Sequence, residues 1–483
     1  MGFLYGNYAA EHGDPHEVLG LLGAAASHIQ EGVLGSARFL TGPDADLGLT
    51  GYVRRQADGV FIGCGDRLRA SAVPETTSAE ELQRWCSRQF SRFAAVYCRP
   101  GRLDLWTDEA AAFPLFYAFQ ADGSPVFATE AKALLGGIKG GSPLLGFAEG
   151  RPLPGEGETV FSGIRAVPPG TRLVLARKDG RWAPQQRHVF YSLPIEPDRI
   201  EPSRAVADVA RTLEQVVQQQ TEGLSRVGIT LSGGLDSSSI AALARRYVPR
   251  IHTYTVGTPF GNEFEQAREV ADFLGTHHRE LMMEPEDVAA LLPDLIWTME
   301  TWDPLTLQIA APVAFLYNKL ADEPKLLLTG YGADLIFAGA VDPGLQDREQ
   351  ELEHTVLQQV RLTVPTNELS PAFYRRLGLT VRYPFWAPAV LSLGLSLRGR
   401  LKLREGEVKW VLRRAMESVL PHRVAWRVKR GIHEGSAMAR VFAVILATED
   451  PVEQCRKLRQ MAAARFVDGG RRSLEADLLT KEA

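Results

Sequence analysis

The segment Leu231–Ser239 reads Leu-Ser-Gly-Gly-Leu-Asp-Ser-Ser-Ser and carries the clearest chemical information in the chain. Two adjacent glycines let a backbone approach phosphate oxygens closely and turn its N–H groups toward them. Serine hydroxyls add donors, and a helix that begins here would favour an anion through its N-terminal partial charge. The residues predicted to contact a nucleotide pyrophosphate are Leu231, Ser232, Gly233, Gly234, Asp236 and Ser237.

Asp236 is the acidic residue within this segment. A carboxylate beside phosphates is repelled by them unless it holds a cation, so Asp236 predicts a Mg²⁺ ion shared with the pyrophosphate. The alternative is a plain glycine turn in which Asp236 caps a helix, and the flanking strand and helix argue against it. The segment differs from the Gly-x-x-x-x-Gly-Lys-Ser/Thr loop, so transfer of a γ-phosphate is not the expected chemistry.

The residues after position 203 alternate between apolar strands and amphipathic helices, which is typical of a parallel sheet covered by helices. In such an α/β domain ligands bind beyond the carboxyl ends of the strands, where the Gly-Gly turn is expected to lie. The predicted strands are 227–231, 251–256 and 325–328, and the predicted helices are 205–219, 237–246 and 263–274.

The first 190 residues are rich in glycine and in short apolar runs, which predict an α+β domain with a large sheet content. The predicted strands are 59–63, 94–98, 103–106 and 171–175, and a helix is predicted over 78–92. Three prolines between Pro194 and Pro202 exclude a helix interior and a central strand. The predicted organisation is therefore a domain over 1–192, a linker over 193–204 and a second domain over 205–483.

Composition excludes several classes of function. The 483 residues have 45% hydrophobic and 23% charged side chains and a formal charge of −4, which does not indicate binding to nucleic acid. No stretch approaches the roughly 20 apolar residues of a membrane span, and no signal peptide is evident, so we expect a cytoplasmic protein. The expected partner is a small, amino-acid-derived substrate, and a homo-oligomer is left open.

Several segments resemble one known family. The Ser-Gly-Gly-Leu-Asp-Ser-Ser segment is similar to the pyrophosphate loop of N-type ATP pyrophosphatases, which form AMP and pyrophosphate. The resemblance covers about 450 residues and extends to the asparagine synthetase superfamily. It implies an N-terminal glutaminase-like Ntn sandwich and a C-terminal domain of the adenine nucleotide α-hydrolase type that uses ATP and Mg²⁺. The other segments that carry it are 105–108, 114–117, 127–134, 163–170, 381–385 and 408–413.

Two departures from asparagine synthetase indicate a different reaction. Gly2 follows Met1, where the family's glutaminase has a nucleophilic cysteine, and no cysteine precedes Cys64, which lies in an apolar run. We therefore expect an inactive glutaminase-like domain. Tyr331 and Leu335 stand where asparagine synthetase has glutamates, and this version resembles the branch of β-lactam synthetase and carbapenam synthetase. The segments 262–264 and 431–436 also resemble that branch.

The resemblance to that branch assigns roles to individual residues. An amine that attacks an acyl-adenylate must lose a proton, and a tyrosine with a pKa near 10 can accept it when a carboxylate polarises the phenol. The branch implies that Tyr331 is this base and that Glu368 supports it. It further implies that Lys429 stabilises the oxyanion and that Lys409 lies near the leaving phosphates. The remaining implied contacts are Asp334 with Mg²⁺, Val256 and Gly330 with the nucleotide, and Gly332 with the substrate.

Gln359 bears on which ring is formed. The β-lactam synthetase that acts on N2-(2-carboxyethyl)arginine needs an acid for the substrate guanidinium, and the corresponding position here holds a neutral amide. We therefore predict an AMP-forming cyclo-ligase of carbapenem antibiotic biosynthesis, which closes (2S,5S)-5-carboxymethylproline to carbapenam-3-carboxylate. The alternatives are closure of carboxyethylarginine, a lasso-peptide macrolactam cyclase, an ammonia-dependent asparagine synthetase and a non-catalytic ATP-binding regulator.

Overall fold

The computed structural model describes most of the chain. The described residues are 4–7, 30–34, 37–41, 49–56, 58–67, 73–138, 157–191, 200–320, 324–363, 366–375, 377–428 and 431–479.

The N-terminal half contains two antiparallel sheets. The elements are β1 (Leu4–Asn7), β2 (Gln30–Leu34), β3 (Ala37–Thr41), β4 (Leu49–Arg55), β5 (Val60–Arg67), α1 (Ala79–Gln89), β6 (Phe90–Arg99), β7 (Arg102–Thr107), β8 (Phe116–Phe119), β9 (Pro125–Ala128), a 3₁₀ helix (Ala131–Gly137), β10 (Arg165–Ala166), β11 (Thr171–Lys178) and β12 (Arg181–Val189). The strand orders of the two sheets are β10-β8-β9-β1-β3-β2 and β12-β11-β7-β6-β5-β4.

Alternating side chains divide this half into layers, because successive residues of a strand point to opposite faces of a sheet. In β6, Ala94 and Val96 join an apolar cluster that also contains Phe127 from the other sheet. Phe93 and Tyr97 face the opposite way and pack in a cluster with residues of α1. The two sheets therefore form a sandwich with α1 on one outer face, which confirms the α+β prediction; a glutaminase-like function for it stays a prediction.

The C-terminal half contains a parallel sheet with many helices. The elements are α2 (Pro202–Thr221), β13 (Arg226–Thr230), α3 (Leu235–Ala244), β14 (Arg250–Gly257), α4 (Phe264–Leu274), β15 (His277–Met282), α5 (Pro285–Met299), α6 (Pro304–Asn318), β16 (Leu326–Leu328), α7 (Ala333–Ile336), α8 (Glu349–Leu362), α9 (Ala372–Arg375), β17 (Thr380–Arg382), α10 (Pro388–Ser396), α11 (Gly399–Lys402), β18 (Leu403–Arg404), β19 (Glu407–Val408), α12 (Trp410–Met416), α13 (His422–Ala425), α14 (Ile432–Gly435), α15 (Met438–Leu446) and α16 (Pro451–Leu479). None of the helices in the described ranges combines the length and apolar character needed to cross a bilayer.

The order of the parallel sheet, β15-β14-β13-β16-β17, explains where a ligand can bind. The chain adds β14 and β15 on one side of β13 and then continues with β16 and β17 on the other side. β13 and β16 are hydrogen-bonded neighbours, so the direction of winding changes between them. Such a switch point leaves a crevice beyond the carboxyl ends of the strands. The Gly-Gly turn at Leu231–Ser239 follows β13, and the segment that contains Tyr331 follows β16. This confirms the predicted parallel α/β domain.

Several predicted element boundaries differ from those of the structure, and two of the differences have a clear physical cause. The helix predicted over 78–92 ends at Gln89, and Phe90 already belongs to β6. The apolar spacing of α1 runs on into the alternation of the strand, and pairing with β5 decides the boundary. Helix α2 starts at Pro202, inside the residues 193–204 that were predicted as linker, because proline is well accepted in the first turn of a helix. The linker residues 192–199 lie outside the described part.

Candidate active site

A cavity opens at the carboxyl edge of the parallel sheet. Four neighbouring strands deliver residues to its lining, with Thr230 from β13, Val256 from β14, Tyr331 from the turn after β16 and Tyr383 from the turn after β17. Chain segments that are separated by up to 153 residues (Thr230 to Tyr383) therefore converge on one site, as expected for a nucleotide-binding α/β sheet.

The predicted pyrophosphate turn lies in this cavity between β13 and α3. Ser232 and Ser237 line the cavity, and the backbone N–H of Ser232 donates a hydrogen bond of 3.1 Å to the hydroxyl of Ser237. Gly330, from the turn after β16, packs directly on the start of α3, where a Cβ would lie 2.5 Å from the backbone nitrogen of Ser237. Leu231 also lines the cavity, whereas Gly233 and Gly234 are not among the lining residues of the described chain, and Gly233 packs closely on the backbone of Gln266. The two predicted motifs are thus in contact with each other.

Asp236 and Asp334 are brought together by Lys409. The lysine ammonium lies 2.6 Å from Oδ2 of Asp236 and 2.5 Å from Oδ1 of Asp334, and the lysine is buried. Burial works against the charge, but the two carboxylates outweigh it and raise the pKa of Lys409 above its usual value. Gly339 makes room for this arrangement, because a Cβ there would lie 2.1 Å from Cε of Lys409. The lysine contacts the predicted metal ligands; its predicted contact with leaving phosphates stays a prediction.

The donor set of Asp236 and Asp334 fits a Mg²⁺ ion. Both carboxylates contact the same nitrogen atom, so they lie close enough to share one small cation. Across the described ranges no group of three or more His, Cys, Asp or Glu residues forms a metal cage. Proteins that bind Mg²⁺ together with a nucleotide commonly supply one or two carboxylates and leave the other positions to water and phosphate oxygens. The pair matches that pattern.

Tyr331 and Glu368 form a hydrogen-bonded pair that lines the cavity. The phenol hydroxyl of Tyr331 donates to Oε2 of Glu368, although the two residues are 37 positions apart. Burial, reinforced by the Glu368 charge, raises the pKa of Tyr331 well above its ordinary value. Burial also raises the pKa of Glu368, while the hydrogen bond from the phenol lowers it. A proton that reaches the phenol oxygen can therefore pass to a carboxylate of increased basicity.

Aromatic rings fix the orientation of Tyr331. The ring of Trp386 stacks on it with the centroids 6.3 Å apart, and the ring of Tyr383 meets it edge-on at 6.1 Å. Gly332 packs against the same indole, since a Cβ there would lie 2.4 Å from Nε1 of Trp386, and it is outside the lining. The phenol thus has little freedom to rotate away from Glu368.

An apolar wall of the same cavity was missed by the sequence analysis. It is formed mainly by α6, whose residues are apolar on almost all sides because the helix is buried. A continuous apolar helix is a common core feature, so its sequence gave no functional signal. The wall residues are Ile309, Ala310, Pro312, Val313, Leu316, Tyr317 and Phe373.

The structure does not bring Gln359 to the cavity. Its amide nitrogen donates to the carbonyl oxygen of Ala340 at 2.9 Å, and it does not appear among the lining residues of the described chain. The two segments 262–264 and 431–436, by contrast, meet at the cavity and contribute Glu263, Gly435 and Ser436 to it. Lys429 lies outside the described residues.

The cysteines of the described chain are poor candidates for nucleophiles. Cys64, Cys86 and Cys98 are buried. Burial raises the pKa of Cys86 well above its usual value and that of Cys98 to about 12. A thiolate at either position is therefore disfavoured.

Comparison with known proteins identifies relatives of the chain. The sequence pattern of the asparagine synthase family matches residues 208–372 and 346–468. The chain is 32% identical over 456 residues to the carboxyethyl-arginine beta-lactam-synthase of Streptomyces clavuligerus, and the match covers 91% of this chain and 85% of that enzyme. It is 25% identical over 377 residues to the glutamine-hydrolysing asparagine synthetase B of Escherichia coli (strain K12), with coverage of 74% and 62%.

Likeness to solved structures is remote. The NMN synthetase of Francisella tularensis matches with a TM-score of 0.29 and 10% identity, covering 57% of this chain and 96% of that protein.

Proposed function

Because this chain belongs to the asparagine synthase family, we propose that it is an ATP-dependent ligase that closes a β-lactam ring within an amino-acid-derived substrate. The observation that carries the proposal is the hydrogen bond from Tyr331 to Glu368, in the same cavity as the pyrophosphate turn. A nucleotide site alone would support any AMP-forming ligase. A half-buried phenol held by a carboxylate adds a group that can take a proton from an amine.

The first step is activation of the substrate carboxylate. A carboxylate oxygen attacks the α-phosphorus of ATP, the bond to the β-phosphate breaks, and pyrophosphate leaves. The turn after β13 presents Ser232 and Ser237 to the phosphates, and Asp236 and Asp334 would hold the Mg²⁺ ion that offsets the pyrophosphate charge. Lys409 keeps these two carboxylates together.

The second step is ring closure. The amine of the same molecule attacks the acyl carbon of the adenylate, and the tetrahedral intermediate collapses with loss of AMP. The phenol oxygen of Tyr331 accepts the amine proton as its own proton moves to Glu368, so the half-buried pair never carries a separate tyrosinate. The raised pKa of Glu368 increases its affinity for that proton. Lys429 remains the predicted donor to the oxyanion.

Two observations bear on the substrate in opposite directions. The similarity to a carboxyethyl-arginine beta-lactam-synthase supports carboxyethylarginine, and so favours this alternative over carboxymethylproline. The apolar wall on α6 supports a substrate with a hydrocarbon body such as a proline ring, because a guanidinium prefers a carboxylate partner. Gln359 supports neither, because it faces Ala340.

The test is a substrate panel with ATP and Mg²⁺. The purified protein is given carboxyethylarginine, carboxymethylproline, aspartate with ammonia, or a precursor peptide, and AMP, ADP and product mass are measured. We expect AMP together with a product that has lost one water from either of the first two substrates. An Asp236→Asn variant is the control for nucleotide-dependent turnover and should form little AMP.

The outcomes separate the alternatives. Formation of asparagine or of a macrolactam would overturn the proposal, and ADP as the nucleotide product would contradict the adenylation step. The ratio of kcat/KM for the first two substrates decides between them.

A further inference from the structure

Arg92 of β6 carries a buried guanidinium across the boundary between the two halves of the chain. Its side chain donates hydrogen bonds to the carbonyl oxygen of Leu369 at 3.2 Å, to the hydroxyl of Tyr374 at 2.8 Å and to the carbonyl oxygen of Val381 at 2.8 Å. Arg92 is 3% exposed. Placing a charge in a protein interior costs free energy unless good hydrogen bonds compensate it, so the buried guanidinium of Arg92 depends on these three acceptors being in place.

The acceptors of Arg92 adjoin the proposed proton-transfer pair. Leu369 directly follows Glu368 in the chain. The guanidinium carbon also lies 4.5 Å from the ring centre of Tyr383, and that ring meets Tyr331 edge-on. One side chain from the N-terminal half therefore contacts the backbone beside the acid and the ring beside the phenol.

A second contact between the halves supports the same turn from its other end. Asn367 has a left-handed backbone (φ 55°), and its side-chain amide donates to the carbonyl oxygen of Met299 at 3.0 Å. The next residue, Glu300, accepts hydrogen bonds from the backbone of Ala131 at 3.1 Å and of Lys132 at 2.8 Å. Leu369 is thus bonded directly to the N-terminal half, and Asn367 is linked to it indirectly through the Met299–Glu300 segment.

We propose that Arg92 is a positioning residue for the Tyr331–Glu368 pair and that the N-terminal sandwich is required for ring closure through this contact. The ring-closure part of this inference rests on the proposed function. Glu368 sits in a short turn with a left-handed residue before it, and such a conformation persists only where its surroundings hold it. Loss of the guanidinium removes the hydrogen bond at Leu369 and the cation above Tyr383 together.

The expected effect is on closure and not on adenylation. The pyrophosphate turn and its acids lie in the segments that follow β13 and β16, whereas the contacts of Arg92 are with the turn at Glu368, with α9 and with β17. A displacement of about 1 Å in a reacting group can reduce a rate on the order of a hundredfold. We expect Arg92→Met to lower ring closure roughly tenfold to a hundredfold while ATP–pyrophosphate exchange stays close to that of the wild type.

The matched control is Arg172→Met. Arg172 is also a buried arginine of the sandwich, and it pairs with Glu80 at 2.5 Å without reaching Glu368. It should lower thermal stability but keep the ratio of closure to exchange. If Arg92→Met does not fold, Arg92→Lys takes its place, because one ammonium cannot reproduce three hydrogen bonds from a planar guanidinium. An unchanged ratio in a folded Arg92 variant would overturn the positioning role.

Hydrogen exchange tests the contact without any assumption about the reaction. The amides of Ser370, Phe373 and Tyr374 are hydrogen-bonded within the turn and α9. They should exchange faster in the Arg92 variant than in the Arg172 control, and equal rates would refute the contact. If the wild type forms no β-lactam, the proposed function fails, and these exchange rates still decide whether Arg92 holds the turn.

Discussion

Tyr331→Phe removes one oxygen atom from the candidate site and tests the proposed chemistry directly. The substitution keeps the ring between Trp386 and Tyr383, so shape and packing should be preserved. It deletes the atom that donates to Glu368 and that would receive the amine proton. ATP–pyrophosphate exchange should therefore survive, while ring closure should slow.

The magnitude follows from the role of the lost atom. A positioned general base contributes on the order of 100- to 10,000-fold to a rate. Glu368 remains in place after the substitution, and a water molecule in the vacated position can relay part of the proton transfer. We therefore expect the lower part of that range, a loss of roughly 100- to 1000-fold, which corresponds to about 3–4 kcal/mol of transition-state stabilisation.

The assay compares two steps in one preparation. Exchange of labelled pyrophosphate into ATP reports adenylation, and product mass after a single turnover reports closure. Tyr247→Phe is the matched control, because its hydroxyl donates to Glu214 at 2.9 Å in a second Tyr–Glu pair outside the cavity. Wild-type closure in Tyr331→Phe, or equal losses in closure and exchange, would refute the reasoning.

Three further predictions concern the same cavity. Burial raises the pKa of Glu368, so its carboxylate is available as a base only above that pKa, and the rate of ring closure should fall as the pH drops through a value above the usual 4.5. In Tyr331→Phe the acid limb of the pH profile should move to higher pH, because this variant loses a hydrogen bond that lowers the pKa of Glu368. Single-turnover rates measured between about pH 5 and 9 would show both effects. Lys409→Met should lower the thermal midpoint of unfolding by on the order of 5–10 °C, because it leaves the partly buried carboxylates of Asp236 and Asp334 uncompensated. In a thermal-shift assay, added Mg²⁺ should restore part of this loss, and no recovery with Mg²⁺ would contradict a metal site shared by the two acids. Gly339→Ala should reduce ATP–pyrophosphate exchange at least about tenfold, because the added Cβ would force Lys409 aside. Gly344→Ala is the control and should leave exchange unchanged, because a Cβ there would lie 3.2 Å from a carboxylate oxygen of Asp342. Equal exchange rates in the two variants would contradict this prediction.

The local parts of the site could be predicted from the sequence. The nine residues 231–239 follow a strand directly and contain two glycines and the start of a helix, and the chemistry of the turn is carried by backbone and hydroxyl groups in that window. Its place at the sheet edge follows from the alternation of strands and helices. The link from Tyr331 to Glu368 came from the family resemblance, because no local pattern relates two residues 37 positions apart.

The parts that could not be predicted depend on long-range contacts. Arg92 falls inside a stretch with helical apolar spacing, and only pairing between β5 and β6 turns it into a strand residue. Its acceptors lie more than 270 residues away, so neither its spacing nor its neighbours point to them. An arginine at the end of an amphipathic stretch is ordinarily a solvated residue, so no local feature of the sequence marks Arg92 as functional.

Backbone strain connects these long-range contacts to the chemistry. Glu300, Asn367 and Lys409 all have left-handed backbones although none is glycine, a conformation that costs on the order of 1–3 kcal/mol per residue. Each of the three makes a contact that joins distant segments: Glu300 with the sandwich, Asn367 with Met299, and Lys409 with the two acids. Because these three residues lie where distant segments meet, the arrangement of the site depends on both halves of the chain being docked. Under the role proposed for Arg92, the N-terminal sandwich contributes to ring closure through geometry, whether or not it has chemistry of its own.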